Sequence, residues 1–190
     1  LSGKEATAIM GSSVFRNWKI VNYPFQPEYP GDRMWNRGAA QLRYAPSEDR
    51  ENLQYPTWSR VLRHCGRGLD DAIKAHPWCK SNGILHGGDY LKVWVASLFQ
   101  KPLSPLPYLF FYSAEQNTGK STFHEALSEL MTKGYARAEN ALTNQQGFNA
   151  ELVHAVLCVV EEVDLSRHKV AYNRIKDWVT SRYLPVHTKG

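Results

Sequence analysis

One stretch constrains this chain more than any other: Pro107 to Met131, PYLFFYSAEQNTGKSTFHEALSELM. Tyr108 to Tyr112 is a short aromatic and aliphatic run with Pro107 before it and polar residues after it, the pattern of a buried strand. Ser113 to Thr118 is polar and reads as a loop. Gly119-Lys120-Ser121 then opens a predicted helix, on which Phe123, Ala126, Leu127 and Leu130 recur at helical spacing.

Strand, polar loop and helix in this order come close to the phosphate-binding pattern G-x-x-x-x-G-K-[ST]. The chemistry needs backbone N–H groups at a helix start, where unpaired donors and the helix dipole favour an anion. Lys120 is expected to reach the outer phosphates and the Ser121 hydroxyl to hold Mg²⁺. The loop residues expected around the nucleotide are Ala114, Glu115, Gln116, Asn117, Thr118, Gly119, Lys120, Ser121 and Thr122. Ala114 stands where the pattern has its first glycine, which supplies unusual backbone angles and close approach to phosphate. Alanine fits there if the angles stay ordinary.

A second apolar run, Ala155 to Val160, ends in Glu161-Glu162-Val163-Asp164. In a parallel sheet covered on both faces, strands are apolar throughout and ligands sit at their carboxyl ends. The acids are therefore expected beside the phosphates. Glu161 is assigned to the magnesium shell and Glu162 to the attacking water, with Asp164 as a rival for either. Lys120 and Glu161 are 41 positions apart, room for a helix, a short strand and a connection. Tyr135 to Ala138 is the expected short strand between them, with Gly134 capping the helix before it.

Charge is unevenly placed within a net +5. Residues 1–107 hold 14 Lys/Arg against 9 Asp/Glu, residues 108–165 hold 3 against 8, and residues 166–190 hold 6 against 1. A basic tail thus follows an acidic centre, and basic segments attract phosphate backbones. At 43% hydrophobic residues the chain can bury a sizeable core, and it shows neither a signal peptide nor an apolar run of bilayer length. Cys65, Cys79 and Cys158 have no C-x-x-C spacing, which suits a reducing cytoplasm better than a disulfide framework.

Upstream, Val14 to Val21 reads as a strand and Tyr23 to Pro30 as a Pro-rich loop. Arg33, Trp35, Arg37, Arg43 and Tyr44 interleave basic and aromatic residues, a pattern that can stack bases, though a packed appendage with exposed arginines is the simpler reading. Thr57 is expected to cap a helix carrying Trp58, Val61 and Leu62, interrupted by Gly66 and Gly68 and followed by a second short helix to His76. His64, Cys65, His76, Cys79 and His86 match no familiar zinc spacing and read as ordinary core or surface residues. A helix from Tyr90 to Gln100 buries Leu91, Trp94, Val95 and Leu98, and Pro102, Pro105 and Pro107 make a stiff connector. Near the end, Val170 to Arg182 reads as a helix with Ile175, Trp178 and Val179 inward and Arg174 and Lys176 outward.

The strand PYLFFY, the loop SAEQNTGKST, the acidic strand VLCVVEEVDL and the segment NRIKDWVTSRYLPVHTKG together resemble the superfamily 3 helicases of viruses, phages and plasmids. The likeness is to the helicase half of phage- and plasmid-type primase–helicases. It implies an α/β fold: an AAA+-like P-loop NTPase core in three layers around a parallel sheet, over residues 85–190. Residues 1–84 are then a mostly helical or irregular accessory region. The resemblance also implies nucleotide contacts at Gly119, Lys120 and Ser121, magnesium and water roles at Glu161 and Glu162, and single-stranded DNA contacts from Arg174, Lys176, Arg182 and Lys189. Its cofactors are ATP and Mg²⁺. It implies a ring, usually of six subunits, acting in the cytoplasm of a bacterial host. The family's sensor asparagine and arginine finger are expected beyond Gly190, so the 190 residues are expected to hydrolyse ATP weakly. A P-loop kinase acting on a small molecule, and a degenerate nucleotide- or DNA-binding module without catalysis, are the competing readings.

Overall fold

The computed structural model describes residues 4, 17–48, 53–144, 146, 149–161, 163, 169–181 and 184–187. Its centre is a helical cluster. Helix α1 (Pro56–Gly66) starts with Pro56 in its first turn, where a missing N–H costs nothing. Tyr55, rather than Thr57, is its N-cap. Gly66 and Gly68 do not interrupt the helical run: a 3₁₀ turn, Arg67–Leu69, carries α1 into α2 (Asp70–Ala75). A short α3 (Pro77–Ser81) follows His76-Pro77.

Helix α4 (Gly87–Gln100) begins three residues before the expected Tyr90. His86 and Asp89 form a reciprocal cap, each side chain meeting the other's backbone N–H. Gly87 sits against Gly66, and a Cβ on either would overlap the other's backbone. The two helices therefore cross at glycine, backbone on backbone. Beyond the crossing, Leu62, Leu91, Trp94, Val95 and Leu98 join Phe123 and Leu127 in one buried cluster. Each such side chain contributes about 1.5–3 kcal/mol by leaving water.

Phe123 and Leu127 belong to α5 (Lys120–Ser128). Phe123 lies between rings of Trp58, stacked at 6.0 Å, and Phe111, edge-on at 5.3 Å. The aromatic packing fixes the helix whose first residue is Lys120. Residues 41–43 then clasp the far end of α5: Thr132 N donates to the Gln41 carbonyl at 2.8 Å and Arg43 Nε to that of Met131 at 2.8 Å.

Two parallel strand pairs are present among the described residues. The strands β1 (Lys19–Ile20) and β2 (Met34–Trp35) form one, β3 (Tyr135–Arg137) and β4 (Leu157–Val159) the other. In the second, Tyr135 faces Leu157 and Arg137 faces Val159, so both strands end side by side just before Glu161. Helix α6 (Glu139–Thr143) leaves β3, and α7 (Lys169–Thr180) packs near it.

Two strand expectations are modified. Tyr108 to Tyr112 joins no ladder among the described residues. Leu109 and Phe111 pack on the core, while Tyr108, Phe110 and Tyr112 remain 72%, 82% and 80% exposed. This is the alternation of a one-sided strand. The second apolar run pairs only over Leu157–Val159, with Leu157 and Val159 half-buried and Cys158 exposed. No helix among the described residues is long and apolar enough to cross a membrane.

Candidate functional site

The loop before α5 has the backbone of an anion cradle. Asn117 and Gly119 take left-handed angles, φ +56° and +83°, with Thr118 between them at negative φ. Alternating signs of this kind turn successive N–H groups toward one point. Asparagine and glycine are the residue types that tolerate the left-handed region. Ala114, at the position of the first expected glycine, keeps ordinary negative φ. Ala114 to Asn117 are exposed, and Thr118, Gly119 and Lys120 are half-buried. The Lys120 ammonium folds back over the loop, 3.2 Å from Thr118 Oγ1 and 3.5 Å from the Glu115 carbonyl. His64 on α1 pins the same loop through its Nε2, 2.9 Å from the Thr118 carbonyl.

Next along the helix, the Ser121 hydroxyl donates to Glu161 Oε1 at 2.7 Å. The hydroxyl at the start of α5 and the first carboxylate after β4 thus meet directly. Thr122 is exposed one position on.

Glu161 has more partners than the sequence disclosed. His124 Nε2 lies 2.9 Å from Oε1, and Arg137 NH1 lies 3.3 Å from Oε2. His124 is 7% exposed, and its Nδ1 lies 2.9 Å from the Tyr135 hydroxyl. One neutral tautomer satisfies both contacts: Tyr135 O–H donates to Nδ1 and Nε2–H donates to the carboxylate. The Glu161 backbone N–H donates to Glu139 Oε1 at 2.8 Å. The Ser121 hydrogen bond is the largest influence on the Glu161 carboxyl and lowers its pKa. Desolvation ranks second and raises it, and His124 and then Arg137 act in the same direction as Ser121.

Ser121 and Glu161 supply hard oxygen donors, the set that suits Mg²⁺. Among the described residues no three His, Cys, Asp or Glu side chains come together as a metal cage. A magnesium ion fits here as one that takes one or two protein oxygens and completes its shell with phosphate and water.

Glu162, Asp164, Arg182 and Lys189 lie outside the described residues. Lys176 is exposed on α7. Arg174, expected to face outward, is half-buried, and its NH1 donates to the carbonyls of Ala141, Leu142 and Asn144 at 2.8, 3.0 and 2.6 Å. A cation at the last carbonyls of a helix satisfies both hydrogen bonding and dipole. On the same helix Val179, expected inward, is exposed, while Ile175 and Trp178 are half-buried.

The residues missed at Glu161 had a geometric signal. His124 follows Ser121 by three positions and so shares its helix face. Arg137 ends β3, which runs parallel to β4, and Glu139 opens α6 two positions later, so both emerge beside the carboxyl end of β4.

A family model described as a family of unknown function, DUF5906, matches residues 111–190. That span takes in the loop, the Glu161 cluster and α7. No curated protein and no solved structure matches the chain.

Proposed function

We propose that the chain is the ATP-dependent DNA helicase or translocase core of a phage or plasmid primase–helicase, binding ATP with Mg²⁺ and single-stranded DNA. The observation that supports this reading best is the 2.7 Å contact between Ser121 and Glu161. It joins the residue after the loop lysine to the first acid of the second apolar strand, as a phosphate-and-metal site requires.

In this reading the N–H groups of residues 117 to 121 and the Lys120 ammonium hold the outer phosphates. Ser121 and Glu161 hold Mg²⁺, which neutralises charge on the phosphoryl group when bound. Glu162 orients water. Tyr135, through His124, keeps the Glu161 carboxylate turned toward Ser121. Arg137 is the counter-charge on the other carboxylate oxygen. Exposed Lys176, with Arg182 and Lys189, contacts the DNA backbone, and subunits assemble as a ring.

The test is titration with a fluorescent ATP analogue and with a labelled single strand. Lys120→Ala should cost at least tenfold in ATP affinity, and ATP should tighten binding of the strand. ATP affinity unaltered by Lys120→Ala would sink the proposal. Transfer of the phosphoryl group to a small acceptor, without affinity for single strands, would replace it with a kinase.

A further inference from the structure

Beside the loop lies a cavity of about 730 Å³ whose lining combines two chemistries. Thr118 and Lys120 bring the loop and the start of α5 to it. Leu69, Ile73, Tyr90 and Leu91, with Tyr108 to Tyr112, supply apolar wall. The volume falls in the range of small-molecule sites. The apolar wall is open in part: Leu69 is 37% and Tyr112 80% exposed, while Ile73 and Leu91 are buried. Apolar surface left bare beside a phosphate-handling lysine is what a nucleotide covers, with its base on the apolar wall and its phosphates at the loop.

We propose that this cavity seats the nucleobase, so that α1, the 3₁₀ turn and α2 supply the base-binding half of the site. The proposal rests on the phosphate-loop reading above. Three further features support it. His64 ties α1 to the loop at the Thr118 carbonyl, holding the two halves in fixed register. The lining contains no Asp, Glu, Asn or Gln side chain, and its leucine, isoleucine, phenylalanine and tyrosine side chains offer the base stacking and apolar contact. Among the described residues no hydrogen bond occupies the backbone of Tyr108 to Tyr112, which leaves main-chain donors and acceptors along the cavity for that edge.

Gly68 offers a direct test. It lines the cavity, and a Cβ there meets no atom within 4 Å. Gly68→Phe should fill the base site without disturbing the fold, and Leu69→Asn should make its wall polar without adding charge. The chain and its variants are titrated by calorimetry with ATP and with inorganic triphosphate, both with Mg²⁺, and thermal melts check that each variant folds. Gly68→Phe and Leu69→Asn should each weaken ATP at least tenfold and leave triphosphate within twofold. Lys120→Ala should weaken both ligands. Folded cavity variants that bind ATP as well as the parent, while Lys120→Ala loses both ligands, would place the base elsewhere and overturn this proposal alone. If Lys120→Ala changes neither ligand, the phosphate-loop reading fails and the base site falls with it.

Discussion

Tyr135 and His124 lie with their rings nearly parallel, 5.8 Å between centroids and 19° between planes, and share a 2.9 Å hydrogen bond. The tyrosine belongs to β3 and the histidine to α5, so one contact ties the strand pair to the loop helix. Tyr135→Phe keeps the ring and removes the hydroxyl, leaving a buried imidazole nitrogen without its donor. The expected cost is about 1–3 kcal/mol of unfolding free energy. Urea denaturation of the two chains measures it, and Tyr135→Phe should also weaken Mg²⁺-dependent nucleotide binding, because His124 no longer holds Glu161 in place.

Acid should loosen the fold through Glu161. Its pKa in the folded chain lies below the ordinary 4.5, chiefly because Ser121 donates to it. A carboxylate of this kind contributes stability that is fully present above the unfolded value and is lost as pH falls through the folded one. The melting temperature should therefore drop as pH is taken down from 4.5, and Glu161→Gln should flatten that limb of the curve. Parallel acid limbs in the parent and Glu161→Gln would contradict this.

The crossing of α1 and α4 makes a contrast between neighbouring glycines. Gly87→Ala places a methyl group into the Gly66 backbone and forces the helices apart. Overpacking of this kind costs typically about 1–3 kcal/mol. Gly68→Ala, facing open space, should be neutral or stabilise by up to about 1 kcal/mol through the unfolded chain. Chemical denaturation of both variants separates crowding from backbone entropy.

Arg174 and Lys176 should part company when each is changed to alanine. Arg174→Ala removes three hydrogen bonds to carbonyls near the end of α6 and should lower stability by about 1–3 kcal/mol. Lys176→Ala should leave the melt unchanged and weaken single-strand binding, with the salt slope reduced by about one. Fluorescence anisotropy over a salt series, run beside the melts, reads both.

The sequence disclosed the parts whose signal is local. Gly119-Lys120-Ser121 announces a loop and helix start within a few residues, and the run before Glu161 announces a strand by composition. The structure adds that Ser121 and Glu161 touch. His124 escaped notice because the helix was read by its apolar face, Phe123, Ala126, Leu127 and Leu130, and a buried histidine does not register in hydrophobic spacing. Arg137 escaped because its importance depends on which strand lies beside β4, which spacing alone does not give. Gly66 reads locally as a helix breaker. Its use as a crossing point depends on Gly87, twenty-one residues away. Tyr108 to Tyr112 shows the limit from the other side: five apolar residues promise burial, but only a neighbouring strand decides whether both faces receive it.

That last segment has a practical consequence. Five consecutive residues keep their peptide groups unengaged among the described residues, and three large rings point outward from them. Any extended polypeptide that drifts alongside finds a ready template for pairing. The excess of basic residues lies in residues 1–107 and 166–190, and none of the five residues of this edge carries a charge to guard it. How concentrated a preparation can be made before molecules adhere to one another is therefore governed at Tyr108 to Tyr112, and not by overall charge.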